Sequence, residues 1–205
     1  MKVLLINGSP RANGNTSIAL REMEQIFAQN GIETETVQVG SKTVRGCVAC
    51  GFCREKGVCA IDDVVNEVAP KFKECDGLVV GSPVYYASAN GTLISFLDRL
   101  FYSTSFDKTM KVGAAVTVAR RGGLSATFDE LNKYFTICGM PVASSQYWNS
   151  IHGARPGDAE QDAEGLQTMR TLAQNMSFLI KSIALGKEAY GLPQKEARQS
   201  TNFIR

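Results

Sequence analysis

Short apolar runs alternate with stretches of helical spacing from one end of the chain to the other. Lys2 to Ile6 is an apolar run ended by Asn7-Gly8-Ser9-Pro10, which predicts a buried strand and a turn. Ala19, Met23, Ile26 and Phe27 then share one face of a helix that stops near Asn30-Gly31. Glu33 to Val39 predicts a second strand, and a helix is expected from about Asp63 to Lys73. A third strand, Gly77 to Gly81, carries Leu78, Val79 and Val80, and Leu93, Phe96, Leu97 and Leu100 mark the helix after it. Val112 to Val118 reads as the fourth strand. Leu124, Phe128, Leu131, Phe135 and Cys138 recur at intervals of four and three, one face of a further helix. Pro141 to Tyr147 reads as a fifth strand. A long helix with Leu166, Met169, Ala173, Met176, Leu179 and Ile183 on one side closes the pattern, and the tail after Gly186 is polar until Phe203-Ile204.

Strands alternating with helices imply a parallel sheet covered on both faces. Five such units in 205 residues suit an α/β, flavodoxin-like three-layer sandwich, with a five-stranded parallel sheet of order 2-1-3-4-5. The expected organisation is one domain over 1–185, including a cysteine-rich excursion at 45–62, and a C-terminal tail over 186–205. Ligands of such sheets bind beyond the carboxyl ends of the strands at the switch in strand order. Three loops distant in sequence, 9–17, 82–87 and 119–123, are expected to meet there.

The first loop is rich in hydroxyl and amide groups and enters a helix, where free N–H groups and the helix dipole favour a phosphate. Neither a Walker loop nor a Gly-x-Gly-x-x-Gly fingerprint occurs. The alternative is an ordinary turn with an Asn or Thr N-cap. Ser82-Pro83-Val84-Tyr85-Tyr86 offers a rigid turn and two rings suited to a flat heteroaromatic ligand, or to capping the core. Gly122-Gly123 permits close backbone approach, with Arg120 and Arg121 available to a polar edge; the bland reading is a helix entry with solvated arginines.

Three segments carry a resemblance: Asn7-Gly8-Ser9-Pro10-Arg11 with Gly14-Asn15-Thr16-Ser17, Gly81-Ser82-Pro83-Val84-Tyr85-Tyr86, and Phe96-Leu97-Asp98-Arg99. Together they closely resemble the NADPH-dependent FMN reductases of flavodoxin-like fold, over about residues 1–185. The resemblance implies that Ser9, Arg11, Asn15, Thr16 and Ser17 hold the FMN phosphate. It also implies that Pro83, Val84, Tyr85 and Tyr86 lie along the isoalloxazine, with Ala119, Arg120, Gly122 and Gly123 near its pyrimidine edge. Asp98 and Arg99 read as structural. The family further implies at least a dimer, a homodimer or homotetramer, with the flavin near the interface.

Composition changes the picture at the cysteines. Of six, four form Cys47-x2-Cys50-x2-Cys53-x5-Cys59, too clustered for a disulfide framework and pointing to metal or redox chemistry. Bacterial ferredoxins end their run with a three-residue gap and Cys-Pro; here the gap is longer and Ala60 follows. The run looks like the compact motif of the iron-sulfur flavoproteins, relatives in which a 4Fe-4S cluster exchanges electrons with FMN, commonly across a subunit interface. Zinc on four thiolates and free or redox-active thiols remain open alternatives. Cys75 and Cys138 read as inert core thiols.

Lys and Arg number 22 against 20 Asp and Glu, a net charge of +2, which supports neither nucleic acid nor an anionic membrane as partner. No stretch approaches the length of a membrane helix, and the N-terminal run is too short for a signal peptide. A cytoplasmic location is expected, where thiols stay reduced. His152 is the only histidine. With no Gly-x-Ser-x-Gly a Ser-His hydrolase is a weak reading. His152 reads as structural or as approaching a neighbouring site in a dimer, and Tyr147 and Trp148 as core or interface aromatics. The expected activity is hydride transfer from NAD(P)H to flavin N5, then reduction of a quinone-like, other small-molecule or one-electron acceptor, a redox protein included, with no catalytic side chain required. A flavodoxin-type carrier is the alternative; classical flavodoxins are strongly acidic, unlike this chain.

Overall fold

A computed structural model describes residues 1–197, 199–201 and 203. In chain order the elements are β1 (Lys2–Asn7), α1 (Asn15–Gln29), β2 (Glu33–Gln38), α2 (Phe52–Lys56), α3 (Val64–Glu74), β3 (Gly77–Tyr85) and β4 (Ser88–Ala89). They continue with α4 (Gly91–Ser103), β5 (Val112–Ala119), α5 (Leu124–Thr136), β6 (Ser150–His152), a 3-10 turn (Asp158–Gln161) and α6 (Ala163–Tyr190). The sheet order is β2-β1-β3-β5-β6, with every neighbour parallel, and the two-residue β4 pairs antiparallel with β3. With β4 set aside this is the flavodoxin-like 2-1-3-4-5 arrangement; with it the sheet has six strands rather than five.

Successive residues of a strand point to opposite faces, and the core divides accordingly. Val3 and Leu5 of β1 pack with Leu20, Met23 and Phe27 of α1 and with Met169, Leu172 and Met176 of α6. Leu4 and Ile6 pack on the other side with Phe72 of α3, Phe96 and Leu100 of α4, and Leu131 and Phe135 of α5. Burial on both faces explains why β1 reads as a continuous apolar run while edge strand β2 is polar and half-exposed.

Two strand assignments differ from expectation. Pro141–Tyr147 is not a strand: Val142 makes only an isolated bridge to Gly113, with hydrogen bonds at Pro141 O and Ala143 N. The chain then loops out, and pairing resumes at Ser150–His152 against Thr117–Ala119, so the fifth parallel strand is β6. The surplus residues between these two pairings loop away from β5, and the Ser145 hydroxyl, within hydrogen-bond distance of Tyr147 O (2.7 Å) and Asn149 Oδ1 (2.8 Å), turns them back. The third strand, expected to end at Gly81, runs to Tyr85. Ser82 and Pro83 continue the register with β5, and Val84 and Tyr85 pair with β4. The last helix continues to Tyr190, into the segment expected as tail, and the end of that tail (198, 202, 204 and 205) lies outside the described residues. No helix among the described residues is long and apolar enough to cross a membrane.

Candidate functional site

The β1–α1 loop leaves the sheet at its carboxyl end. Buried Asn7 starts it by accepting from Ser9 N through Oδ1 (3.0 Å), and Ser9 Oγ accepts from Arg11 N (3.1 Å). Helix α1 begins after Gly14, an extended residue with no side-chain cap, rather than at an Asn or Thr N-cap. The first-turn N–H groups of Asn15 and Thr16 therefore have no intrahelical acceptor, and they open toward a cleft. Asn15 is engaged elsewhere through its side chain. Nδ2 donates to Arg155 O (2.9 Å), and Oδ1 accepts from Gly157 N (3.1 Å) and Ala159 N (3.2 Å). Its amide thus closes the β6–α6 loop over the helix start. Gly153 is required beside it, because a Cβ there would stand 2.4 Å from Asn15 Nδ2.

The second wall is a hairpin. Tyr86 and Ala87 join β3 to β4 with φ of 52° and 59°, a two-residue connection in which both non-glycine residues are left-handed. Such a conformation costs about 1–3 kcal/mol per residue and persists where its surroundings hold it. Glu130 of α5 does so, accepting from Ser88 Oγ (3.0 Å) and Ala89 N (2.9 Å). Behind the hairpin lies Gly123 at φ +88°, where a Cβ would meet Ala87 Cα at 2.9 Å. Below it the buried Ser82 hydroxyl donates to Pro83 O (2.8 Å) and accepts from Asn90 N (3.0 Å). Asn90 in turn donates to Gly8 O (2.7 Å), tying the first loop to the start of α4.

These pieces enclose one cleft at the carboxyl ends of β1, β3 and β5, where the strand order reverses. Ser9, Arg11, Asn15, Thr16, Pro83, Val84, Tyr85, Ala119 and Arg120 line it, nine of the residues expected from the sequence. Four others do not. Ser17 is buried and donates to Gly14 O (2.8 Å), Tyr86 stands fully exposed at the hairpin tip, Gly122 borders open space and Gly123 supports the hairpin. Gly14, Val118, Gly153 and Ala154 also line the cleft. The last two were missed because the misplaced fifth strand put them beyond the sheet; the glycine after His152 was the one available signal. The cleft measures about 200 Å³, below the roughly 300–1,000 Å³ of enclosed ligand pockets, so one chain offers a shelf with an open side.

The four clustered cysteines are all free. Cys47 and Cys50 are exposed, Cys53 and Cys59 half-buried. Left-handed Ala49 (φ 53°) and Gly51 (φ 75°) turn the backbone between them, and short α2 carries Cys53. All four line a single small cavity of about 30 Å³, closed on one side by Arg99, Tyr102 and Ser103 of α4. No three His, Cys, Asp or Glu side chains among the described residues converge on a single ion. A cuboidal cluster spreads its thiolates around a wider cage, and four free thiols facing one cavity fit it as a donor set. Arg99, read as structural from the sequence, is almost wholly buried against this segment. It pairs with Asp63 (2.6 and 3.0 Å) and donates to Arg45 O (3.2 Å), Ile61 O (2.8 Å) and Cys59 Sγ (3.3 and 3.2 Å).

Outside the two sites, Cys75 is buried, and its thiol is pushed up to about 11 by burial. Cys138 is half-buried, with burial again raising its thiol. Tyr147 and Trp148 pack at 5.0 Å with rings tilted by 53° on the loop before β6 and are exposed, so they are not core residues. His152 is half-exposed. Its N–H donates to Asp162 Oδ2 (2.6 Å), and its Nδ1 lies 3.4 Å from the same oxygen.

A doubly wound α/β domain with an anion-ready helix start and an aromatic hairpin at its switch point is a flavodoxin-like nucleotide-binding architecture. The family model for NADPH-dependent FMN reductase matches residues 1–154, and the chain belongs to that family of flavoprotein oxidoreductases. An iron-sulfur flavoprotein of Methanocaldococcus jannaschii is 37% identical over 191 residues, spanning 89% of this chain and 99% of its own. One from Methanosarcina thermophila is 31% identical over 192 residues, spanning 92% and 100%. Among solved structures, RosB with bound 8-demethyl-8-formylriboflavin-5'-phosphate superposes with a TM-score of 0.71 at 16% identity, covering 100% of this chain and 92% of its own; at that identity the likeness concerns the fold.

Proposed function

We propose that the chain binds FMN, accepts a hydride from NAD(P)H at the flavin and passes the electrons to a quinone-like or one-electron acceptor, with a 4Fe-4S cluster on Cys47, Cys50, Cys53 and Cys59. The observation that carries the flavin reading is the meeting of the loops after β1, β3 and β5 in one cleft, with an uncapped helix start at one end. The Asn15 and Thr16 N–H groups, the Thr16 and Ser9 hydroxyls and the Arg11 guanidinium would hold the phosphate. Pro83, Val84 and Tyr85 would cover one side of the ring, with Ala119 and the Arg120 loop at its polar edge. No side chain here has to move a proton, which suits a shelf whose lining among the described residues includes no carboxylate, histidine or cysteine.

The open shelf favours a second subunit as its cover, in a homodimer or homotetramer. A further reason is distance. The cleft lies near the N-terminal end of α4, where Asn90 bonds to Gly8 O, whereas Arg99 and Tyr102 beside the cysteines stand roughly 12–17 Å further along that helix at 1.5 Å per residue. A partner chain bringing its own cysteine segment over the flavin would shorten that gap. The exposed Tyr147-Trp148 pair suits such an interface. A cytoplasmic location and a small-molecule or redox-protein acceptor complete the reading, with no role for nucleic acid or membrane at a net charge of +2.

Anaerobic purification tests it. About one FMN and about four iron and four sulfide per chain are expected, the stoichiometry of a single cubane cluster. A colourless protein would overturn the flavin reading. A yellow protein free of iron after anaerobic preparation would overturn the cluster and leave the flavin. Steady-state oxidation of NAD(P)H with excess acceptor is expected; its absence in flavin-loaded protein would mark a carrier of the flavodoxin type instead.

A further inference from the structure

Arg99 is the largest fully buried side chain among the described residues, 1% exposed, and it faces the cysteine segment rather than a hydrophobic layer. Two of its edges are occupied in different ways. Nη1 and Nη2 grip Asp63 in the bidentate geometry a carboxylate takes on a guanidinium (2.6 and 3.0 Å). Nε and Nη2 form the other edge, and both point at one atom, Cys59 Sγ, at 3.3 and 3.2 Å. The sulfur sits where a second carboxylate or a phosphate oxygen would sit on that fork. A thiol is a weak acceptor, whereas a metal-bound thiolate is an anionic one that uses two donors fully. Such a contact distinguishes Cys59 from the other three, for none of which a side-chain hydrogen bond occurs among the described residues.

The same guanidinium holds the segment at both ends. Nη1 donates to Arg45 O just before Cys47, and Nη2, whose two hydrogens are shared among Asp63, Cys59 and Ile61, also reaches Ile61 O (2.8 Å) just after Cys59. Asp63, its ion-pair partner, also caps α3 by accepting from Val65 N (3.0 Å). Entry, exit and one ligand of the cysteine loop therefore meet on a single cation carried by a rigid helix.

We infer that Arg99 is a positioning residue for the cluster: it holds Cys59 as the fixed corner of the cage and, through two charge-assisted N–H···S bonds, raises the cluster's reduction potential. Hydrogen bonds and positive charge at the sulfurs favour the more negative, reduced cluster, which gives the sign. Lysine cannot replace it, because one ammonium group cannot span carboxylate, carbonyls and sulfur with a planar fork. The inference rests on the cluster reading above.

The test uses the anaerobic full-length holoprotein, wild type and Arg99→Lys, with iron, sulfide and FMN assayed first. Wild-type protein labelled with 15N in the arginine guanidinium is expected to show a 15N coupling to the reduced cluster in electron–nuclear double resonance. R99K is expected to keep its FMN and to show a cluster potential more negative than wild type. A wild-type cluster without 15N coupling would overturn the inference, as would R99K with full iron and an unchanged potential. If R99K loads no cluster, the wild-type coupling alone decides. Wild-type protein without iron and sulfide removes the cluster reading and this inference together, and the assay identifies that case.

Discussion

The flavin cleft and the cysteine cavity are built by opposite means. The cleft is made of loops only a few residues long, each held at both ends by the sheet or by a helix and tied by short side-chain bonds of Asn7, Asn15, Ser82, Asn90 and Glu130. The cysteine segment leaves β2 at Gln38 and reaches α3 at Val64 with only the five residues of α2 as regular structure. Its order comes from a few side chains: one buried cation binds its start, its end and one thiol, Asn66 clamps the Cys59 backbone (3.1 and 3.0 Å), and Arg54 donates to Tyr102 (2.7 Å). Repeated strand–helix units tolerate such an insertion because it grows from a sheet edge and needs one anchor rather than a core of its own. One region is therefore robust through many ties spread over the sheet, and the other leans on a few side-chain anchors, Arg99 foremost.

The largest expected effect breaks the second region alone. Arg99→Met leaves the half-buried Asp63 without its partner and removes the hydrogen bonds to Arg45 O and Ile61 O, which costs about 3 kcal/mol in urea unfolding; the cysteine segment loses an anchor and the protein its iron, while FMN stays. Loss of FMN with retention of iron would reverse the assignment of the two regions. A smaller effect is expected in the cleft. Asn15→Ala removes three hydrogen bonds to the 155–159 loop, at a cost of about 1–3 kcal/mol, and should weaken FMN retention with iron content unchanged. Wild-type flavin affinity in N15A would mean that this loop does not shape the cleft.

The smallest effect is a control distant from both. Glu35 on β2 pairs with Lys2 (2.6 Å) and Lys71 (2.5 Å), and these hydrogen bonds, Lys2 first, hold its carboxyl below the ordinary value of 4.5. The stabilisation is complete above that ordinary value and disappears as the pH falls through the lowered one. Glu35→Gln is accordingly expected to cost at most about 1 kcal/mol at pH 7, discounted for solvent screening, with the two proteins converging in acid. A difference that persists at low pH would show that Glu35 acts by packing rather than by charge.

Most of this architecture was legible in the linear pattern. Strands buried on both faces write themselves as apolar runs, and the five parallel strands follow in the expected order. Nine cleft residues were expected because their segments resemble the motifs of the NADPH-dependent FMN reductases, with Ser9, Asn15 and Pro83 also marking turns. Pro141–Tyr147 misled because its β-branched and aromatic residues suit a strand, yet its neighbour on β5 runs out of pairing partners there. The strand character of Ser82–Tyr85 was hidden for the converse reason, since Ser and Pro read as a turn until β5 and β4 pair with them.

By itself the sequence determined the layered fold, the family motifs and the four-cysteine run, since each rests on residues close together in the chain. Only the tertiary structure decided that the Asn15 amide clamps a loop more than a hundred residues away, that Ser17, Tyr86 and Gly123 stand back from the cleft, and that Arg99 lies on Cys59. Those outcomes depend on which distant backbone and side-chain groups finally compete for the same donor, and local spacing carries no record of that competition.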